Sequence, residues 1–280
     1  MDLVGQTLDI YRICEPLGSG MTATVYRAVI EGTLRDVAVK VLQREVREDE
    51  TFLKRFYREG MICAQINHPN LLRVYQVSDQ NAEIQYIVTD LIVGVNLSQF
   101  LTGNPMTCPE LAVLLTLPVL KGLFALHERG VVHRDIKPDN IMVDWSKKRV
   151  VITDLGLAQP LDGSRLSVVG QIVGSIAFMA PERMRDAPFD HRVDIWSVGT
   201  ILYYLATGAF PFDAESQDEF VRRVLKAQVK PPSEVNPAVA PELERVILGC
   251  LAGDPNARYD SAQKIRDDLE RHLRELEIGE

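Results

Sequence analysis

The run His133-Arg134-Asp135-Ile136-Lys137-Pro138-Asp139-Asn140 gathers acids, bases and an amide in one short segment, just before the apolar Ile141-Met142-Val143. A charged run of this density is commonly no more than a solvated loop. Fourteen residues after Asn140, however, stands Asp154, closing the apolar Val150-Val151-Ile152-Thr153 and preceding Leu155-Gly156. Asn140 and Asp154 at adjacent strand ends would offer two hard oxygen ligands. Mg²⁺ takes few protein ligands and keeps water and phosphate oxygens in its shell. Asp135 could then orient a hydroxyl nucleophile, and Lys137 could neutralise a transferred phosphoryl group. The chemistry this spacing predicts is phosphoryl transfer.

Two further groups fit that chemistry. Gly18-Ser19-Gly20-Met21-Thr22-Ala23-Thr24-Val25 lies between two strand-like runs, and glycines let backbone N–H groups approach phosphate oxygens. A plain hairpin turn would read the same way, and Ala23 stands where a third glycine would be usual. A strand follows that loop and not a helix, which disfavours a dinucleotide fold. Lys40 shares a strand face with Ala38 and Leu42, so its ammonium either snorkels to the surface or meets a carboxylate. Glu59 falls on the apolar stripe of the next helix, seven residues after Phe52, and needs a cation there. Lys40 is the expected partner.

The elements that must hold these groups are legible from periodicity. Val37, Val39 and Val41 alternate with Ala38, Lys40 and Leu42 within a strand-rich segment over 10–42. Phe52, Phe56, Cys63 and Ile66 mark one face of a helix over 49–66. Strands are expected over 71–77 and 85–89, with 90–94 as a connector. Helices are expected over 109–128, 191–207, 216–227, 241–251 and 261–276, and Pro118 should kink the first. Strands over 141–143 and 150–153 lie between the first two. A β-rich first third and a helical remainder predict an α+β chain of two lobes with a cleft.

Composition narrows the partners. The 280 residues carry a net charge of -8, which argues against nucleic acid as a partner. The four cysteines (Cys14, Cys63, Cys108 and Cys250) form no CxxC pair, so a zinc site or a disulfide framework is not expected. A reducing, cytoplasmic setting follows from that. The N-terminal residues lack a signal-peptide pattern, and the apolar Leu111–Leu120 is too short for a membrane span. No membrane span is expected in this chain.

With these residues in view, the sequence resembles the protein kinase superfamily from about Tyr11 to about Leu273, and more loosely its eukaryotic-like serine/threonine kinases of bacteria. Val37-Ala38-Val39-Lys40, the 133–140 loop, Asp154-Leu155-Gly156, Ala180-Pro181-Glu182 and Asp194-Ile195-Trp196-Ser197-Val198-Gly199 stand in family order. Arg258 falls where the family pairs an arginine with Glu182. The resemblance implies an N-terminal extension over 1–10, a small β-rich lobe over 11–90 with one key helix, a mainly helical lobe over 91–273, and a tail over 274–280.

It also implies roles. Asp135 would be the catalytic base with Lys137 beside it, while Lys40, paired with Glu59, would grip the α- and β-phosphates. Asn140 and Asp154 would hold Mg²⁺ or Mn²⁺. Leu17, Gly18, Ser19, Gly20, Val25, Ala38 and Met142 would enclose ATP, with Thr89 as gatekeeper and the backbone of Asp90 to Ile92 on the adenine. Cys63, Val74, His133 and Leu155 would stack as a spine. Lys137 and the Gly174-Ser175 segment point to serine and threonine hydroxyls of protein substrates, and a transient homodimer would serve autophosphorylation. Arg134 and Arg55 would receive a loop phosphate, at Ser164 or Ser167, whose pocket Gln159 weakens. The competing readings are an ATP-binding scaffold of pseudokinase type, a small-molecule phosphotransferase and a pure interaction module.

Overall fold

The computed structural model describes residues 3–20, 22–103, 108–144, 147–154 and 176–278. They form two compact units. The first comprises residues 1–93 and 154–160, and the second comprises 94–153 and 161–280.

The first unit is built on an antiparallel sheet. Its strands are β1 (Thr7–Leu8), β2 (Tyr11–Ser19), β3 (Ala23–Ile30), β4 (Asp36–Leu42), β5 (Val74–Val77) and β6 (Tyr86–Asp90), in the order β1-β2-β3-β4-β6-β5. Val37, Val39 and Val41 of β4 pack with Tyr11, Ile13, Tyr26, Ala28, Tyr86 and Val88 into a single cluster. Because side chains alternate along a strand, Ala38, Lys40 and Leu42 are turned to the other face. Leu3 is in that cluster too, 2% exposed. A one-turn helix, α1 (Arg44–Arg47), leads to α2 (Glu50–Gln65). Asp49 caps α2 by accepting from the N–H of Phe52 at 3.0 Å. The buried face of α2 carries Phe52, Phe56, Tyr57, Glu59, Gly60 and Cys63.

The second unit opens with β7 (Val95–Asn96), which pairs with β8 (Ile141–Asp144), itself paired with β9 (Arg149–Ile152). Gly94 precedes β7, and a Cβ there would sit 2.1 Å from the carbonyl oxygen of Val143. Only glycine permits that approach. The helices are α3 (Leu97–Gly103), α4 (Pro109–His127), α5 (Pro181–Met184), α6 (Arg192–Thr207), α7 (Gln217–Lys226), α8 (Pro241–Cys250) and α9 (Ala262–Ile278). Nearly every residue of α6 is buried, which marks it as the central element against which α4 and α8 pack. At the contact with α8, a Cβ on Gly199 would come 2.6 Å from Cβ of Cys250. All four cysteines are free thiols, with Cys63 and Cys250 buried and Cys14 and Cys108 half-buried.

The α+β expectation holds, and the longer helices lie within two residues of where periodicity put them. One reading needs correction. The apolar Leu111–Leu120 stretch is the middle of α4, which runs on through Pro118 for 19 residues. Among the described residues α4 is the one helix long and apolar enough to cross a membrane, by length and composition. Half of its most apolar window is buried inside the protein, which fits a core helix.

Candidate active site

In the second unit the loop after α4 is fixed by α6. Asp194, fully buried, accepts from the backbone N–H of His133 through Oδ2 and from that of Arg134 through Oδ1, each at 2.8 Å. His127, at the end of α4, reaches the same Oδ2 at 2.9 Å. Burial pushes the Asp194 carboxyl up, but the His127 bond and the His133 N–H outweigh it. Its pKa lies below the ordinary carboxylate value. The peptide so held is bent, since Arg134 has φ 70°, a left-handed conformation that side chains other than glycine rarely adopt. A guanidinium N–H of Arg183 donates to the Arg134 carbonyl.

His133 is held in one tautomer. Its Nδ1 accepts from the N–H of Asp135 at 3.3 Å, so Nε2 carries the proton and donates to the carbonyl of Thr153 at 2.9 Å. That bond ties the loop to the residue just after β9. A second tie runs from Thr153 N–H to the carbonyl of Asn140 at 2.9 Å.

These supports present Asp135. Asn140, which ends the 3₁₀ turn Pro138–Asn140, donates through Nδ2 to the Asp135 backbone carbonyl at 2.8 Å and to its Oδ2 at 2.7 Å. The Lys137 ammonium lies 2.9 Å from the same Oδ2. Oδ1 of Asp135 receives no hydrogen bond from the described residues. The donors among the described residues thus converge on one oxygen of the carboxylate. Asn140 thus commits its amide nitrogen to Asp135, and its Oδ1 can only accept.

In the first unit, Lys40 sits mid-strand in β4, paired in register with Val25 and Ile87. Its ammonium forms an ion pair with Oδ1 of Asp154. The Lys40–Glu59 pair anticipated from the helical stripe is not among the described contacts; Glu59 is buried on α2 and has interactions of its own. Asp154 lies two residues past the end of β9 and holds a left-handed φ of 52°. That turn sets its carboxylate apart from the strand's alternation, and β periodicity could not place it. The glycine-rich turn joins β2 to β3 through a Gly20 N–H bond to the Ala23 carbonyl at 2.8 Å. A Cβ on Gly18, near the end of β2, would meet nothing within 4 Å.

Ala38 is buried opposite Thr89, itself 7% exposed, and Val25 is half-buried on β3. Leu17 is half exposed at the end of β2. Asp90 ends β6, and Ile92 follows in the connector; Met142 lies half-buried on β8. Cys63 and Val74 are buried in the first unit and His133 in the second. Met21, Leu155, Gln159, Ser164, Ser167 and the Gly174-Ser175 segment lie outside the described residues.

Sequence reasoning missed three supports. Gln43, just past β4, reaches Oγ1 of Thr24 at 3.1 Å and Oγ of Ser19 at 3.3 Å, and so bridges both arms of the glycine-rich turn. His127 and Arg183 brace the 133–140 loop from outside it. The terminal position of His127 on a long helix, a few residues before His133, was the one available signal.

A curled antiparallel sheet with one long helix, a helical unit centred on α6, and an aspartate held by an asparagine and a lysine define a kinase. The chain belongs to the protein kinase domain family, whose model matches residues 11–269. A probable serine/threonine-protein kinase of Clostridium acetobutylicum is 35% identical over 259 residues, covering 92% of this chain and 39% of that one. Serine/threonine-protein kinase PrkC of Bacillus subtilis is 31% identical over 259 residues, covering 92% and 40%. The crystal structure of the Mycobacterium tuberculosis PknI kinase domain matches with a TM-score of 0.74 at 25% identity, over 95% of this chain and 98% of that one. The chain spans about two fifths of the length of these two curated relatives.

Proposed function

We propose that this chain transfers the γ-phosphate of Mg-ATP to serine and threonine hydroxyls of proteins, its own chain included through a transient homodimer, in the cytoplasm. The observation that carries the reading is the asymmetry of Asp135. Asn140 and Lys137 occupy Oδ2 and leave Oδ1 to accept a proton.

The donor set suits the metal. Asn140 Oδ1 and the Asp154 carboxylate are hard oxygens, the kind Mg²⁺ takes alongside phosphate and water. Those two residues would hold Mg²⁺ or Mn²⁺, which when bound neutralises charge building on phosphate oxygens. Lys40 would leave Asp154 for the α- and β-phosphates, under the glycine-rich turn braced by Gln43. Asp135 Oδ1 would orient the substrate hydroxyl and receive its proton as the oxygen bonds to the γ-phosphorus. The bond from that phosphorus to the bridging oxygen breaks, and ADP leaves with the electron pair. Lys137 would offset charge on the transferred group. The family and the bacterial serine/threonine kinases among its relatives support the choice of acceptor.

The test is phosphate incorporation into a generic basic protein and into the chain itself, with phosphoamino-acid analysis. Asp135→Asn and Lys40→Met should each lower the rate by at least about 10²-fold, with thermal unfolding unchanged. Phosphotransfer within about tenfold of the parent in either variant would refute the assignment.

A further inference from the structure

The pairing of β5 with β6 slips between Val74 and Gln76, so Tyr75 stands outside the ladder. Bulges of this kind re-aim a side chain. Tyr75, still 37% exposed, brings its hydroxyl 2.5 Å from Oδ1 of Asp90. Arg35, in the turn before β4, lays its guanidinium 4.6 Å from the centre of the Tyr75 ring and donates to the same hydroxyl. It also comes 3.9 Å from Asp90 Oδ1. The hydroxyl therefore accepts from Arg35 and donates to Asp90, a chain in which each bond polarises the next.

Asp90 is also fixed along its backbone. Its N–H donates to the Arg73 carbonyl at 3.0 Å, and its carbonyl accepts from Oγ1 of Thr89 at 3.2 Å. Amide, carbonyl and side chain of one residue are thus each pinned by a different group, all within the first unit. An exposed ion pair by itself contributes little. A bulge that aims an aromatic hydroxyl at the last residue of a strand is a more specific arrangement.

We propose that Tyr75, aimed by the β5 bulge and backed by Arg35, is a positioning residue that sets the Asp90 backbone for the adenine base. The inference rests on the reading of Asp90 to Ile92 as the segment that hydrogen-bonds adenine. A carbonyl held in one direction accepts from the adenine amino group and opposes guanine, which presents an oxygen there. Leaving two acceptors face to face is what makes such a site selective. Loosening Asp90 weakens ATP and narrows its margin over GTP.

The experiment is direct titration of the parent and its variants with Mg-ATP and Mg-GTP, read as Kd and independent of turnover. Tyr75→Phe keeps the ring under Arg35 and removes the hydroxyl. It should raise Kd for ATP about threefold to tenfold and shrink the ATP-to-GTP preference, with nucleotide-free thermal unfolding unchanged. Adding Arg35→Gln to Tyr75→Phe should weaken ATP by less than Arg35→Gln does alone, because the two side chains act as one unit. Should Tyr75→Phe fail to fold, Arg35→Gln carries the same expectation at smaller size. An unchanged ATP Kd and an unchanged preference in these variants would overturn the proposal, even if the parent phosphorylates proteins. A parent that binds Mg-ATP with this pattern but transfers no phosphate would leave the clamp standing and remove the kinase reading. A parent that binds neither nucleotide would overturn both.

Discussion

Asp194 uses both carboxylate oxygens on two peptide N–H groups and one imidazole, and through them it sets where Asp135 lies. Its pKa is held below the ordinary value, so its contribution to stability has a definite sign with pH. A depressed folded pKa means that the unfolded chain binds protons more readily. The contribution is whole above the unfolded pKa of about 3.9 and is lost as pH falls through the lower folded value. Asp194→Asn should destabilise by about 3–5 kcal/mol near neutrality, the scale of breaking a buried charge network. The gap to the parent should narrow as urea unfolding is repeated at falling pH. Parallel curves for the two proteins would show that the charge of Asp194 is not what matters. At this scale the sequence was informative wherever residue type and spacing alone carry chemistry, as for Asp135, Lys137 and Asn140. It was silent on Lys40 meeting Asp154, because a left-handed residue at a strand end obeys neither helical nor strand periodicity. Tyr75 was hidden for a related reason, since a bulge breaks the alternation by which a strand's faces are told apart.

Among the elements, α5 has one turn and cannot be stable on its own hydrogen bonds. What fastens it is Glu182, which takes both guanidinium nitrogens of Arg258 at 2.6 and 2.8 Å with both side chains buried. Arg258 also donates to the Ala252 carbonyl at 2.7 Å and stacks over Trp196 at 4.9 Å, so a lysine could not replace it. Glu182→Gln and Arg258→Met should each cost about 3–5 kcal/mol, while the Glu182→Leu/Arg258→Met pair should cost well below the sum. Urea denaturation of the three variants decides it; small, additive losses would mean that the pair is incidental. Periodicity missed the seven-residue α3 and the elements too short to show a period. Strands β1 and β7 have two residues each and α1 has four, so they exist only because neighbours supply partners. The long helices α2, α4 and α6 were legible to within two residues, because a buried stripe or an all-apolar run leaves little choice.

For the molecule as a whole, each unit encloses one cysteine in its core, Cys63 on α2 and Cys250 at the end of α8. Burial pushes the Cys63 thiol up to about 12 and that of Cys250 higher still, so neither is a thiolate at neutral pH. An alkylating reagent needs the thiolate and a clear approach, and both require the surrounding core to open. The chain therefore carries a chemical stopwatch in each half. Under a pulse of iodoacetamide followed by mass spectrometry, Cys14 and Cys108 should label promptly. Cys63 and Cys250 should lag by at least about 10²-fold, at rates that report the opening of their own units. Prompt labelling of Cys250 would contradict its burial against Gly199. Unequal lags at the two buried thiols would reveal which half gives way first under heat or denaturant, with no label engineered in.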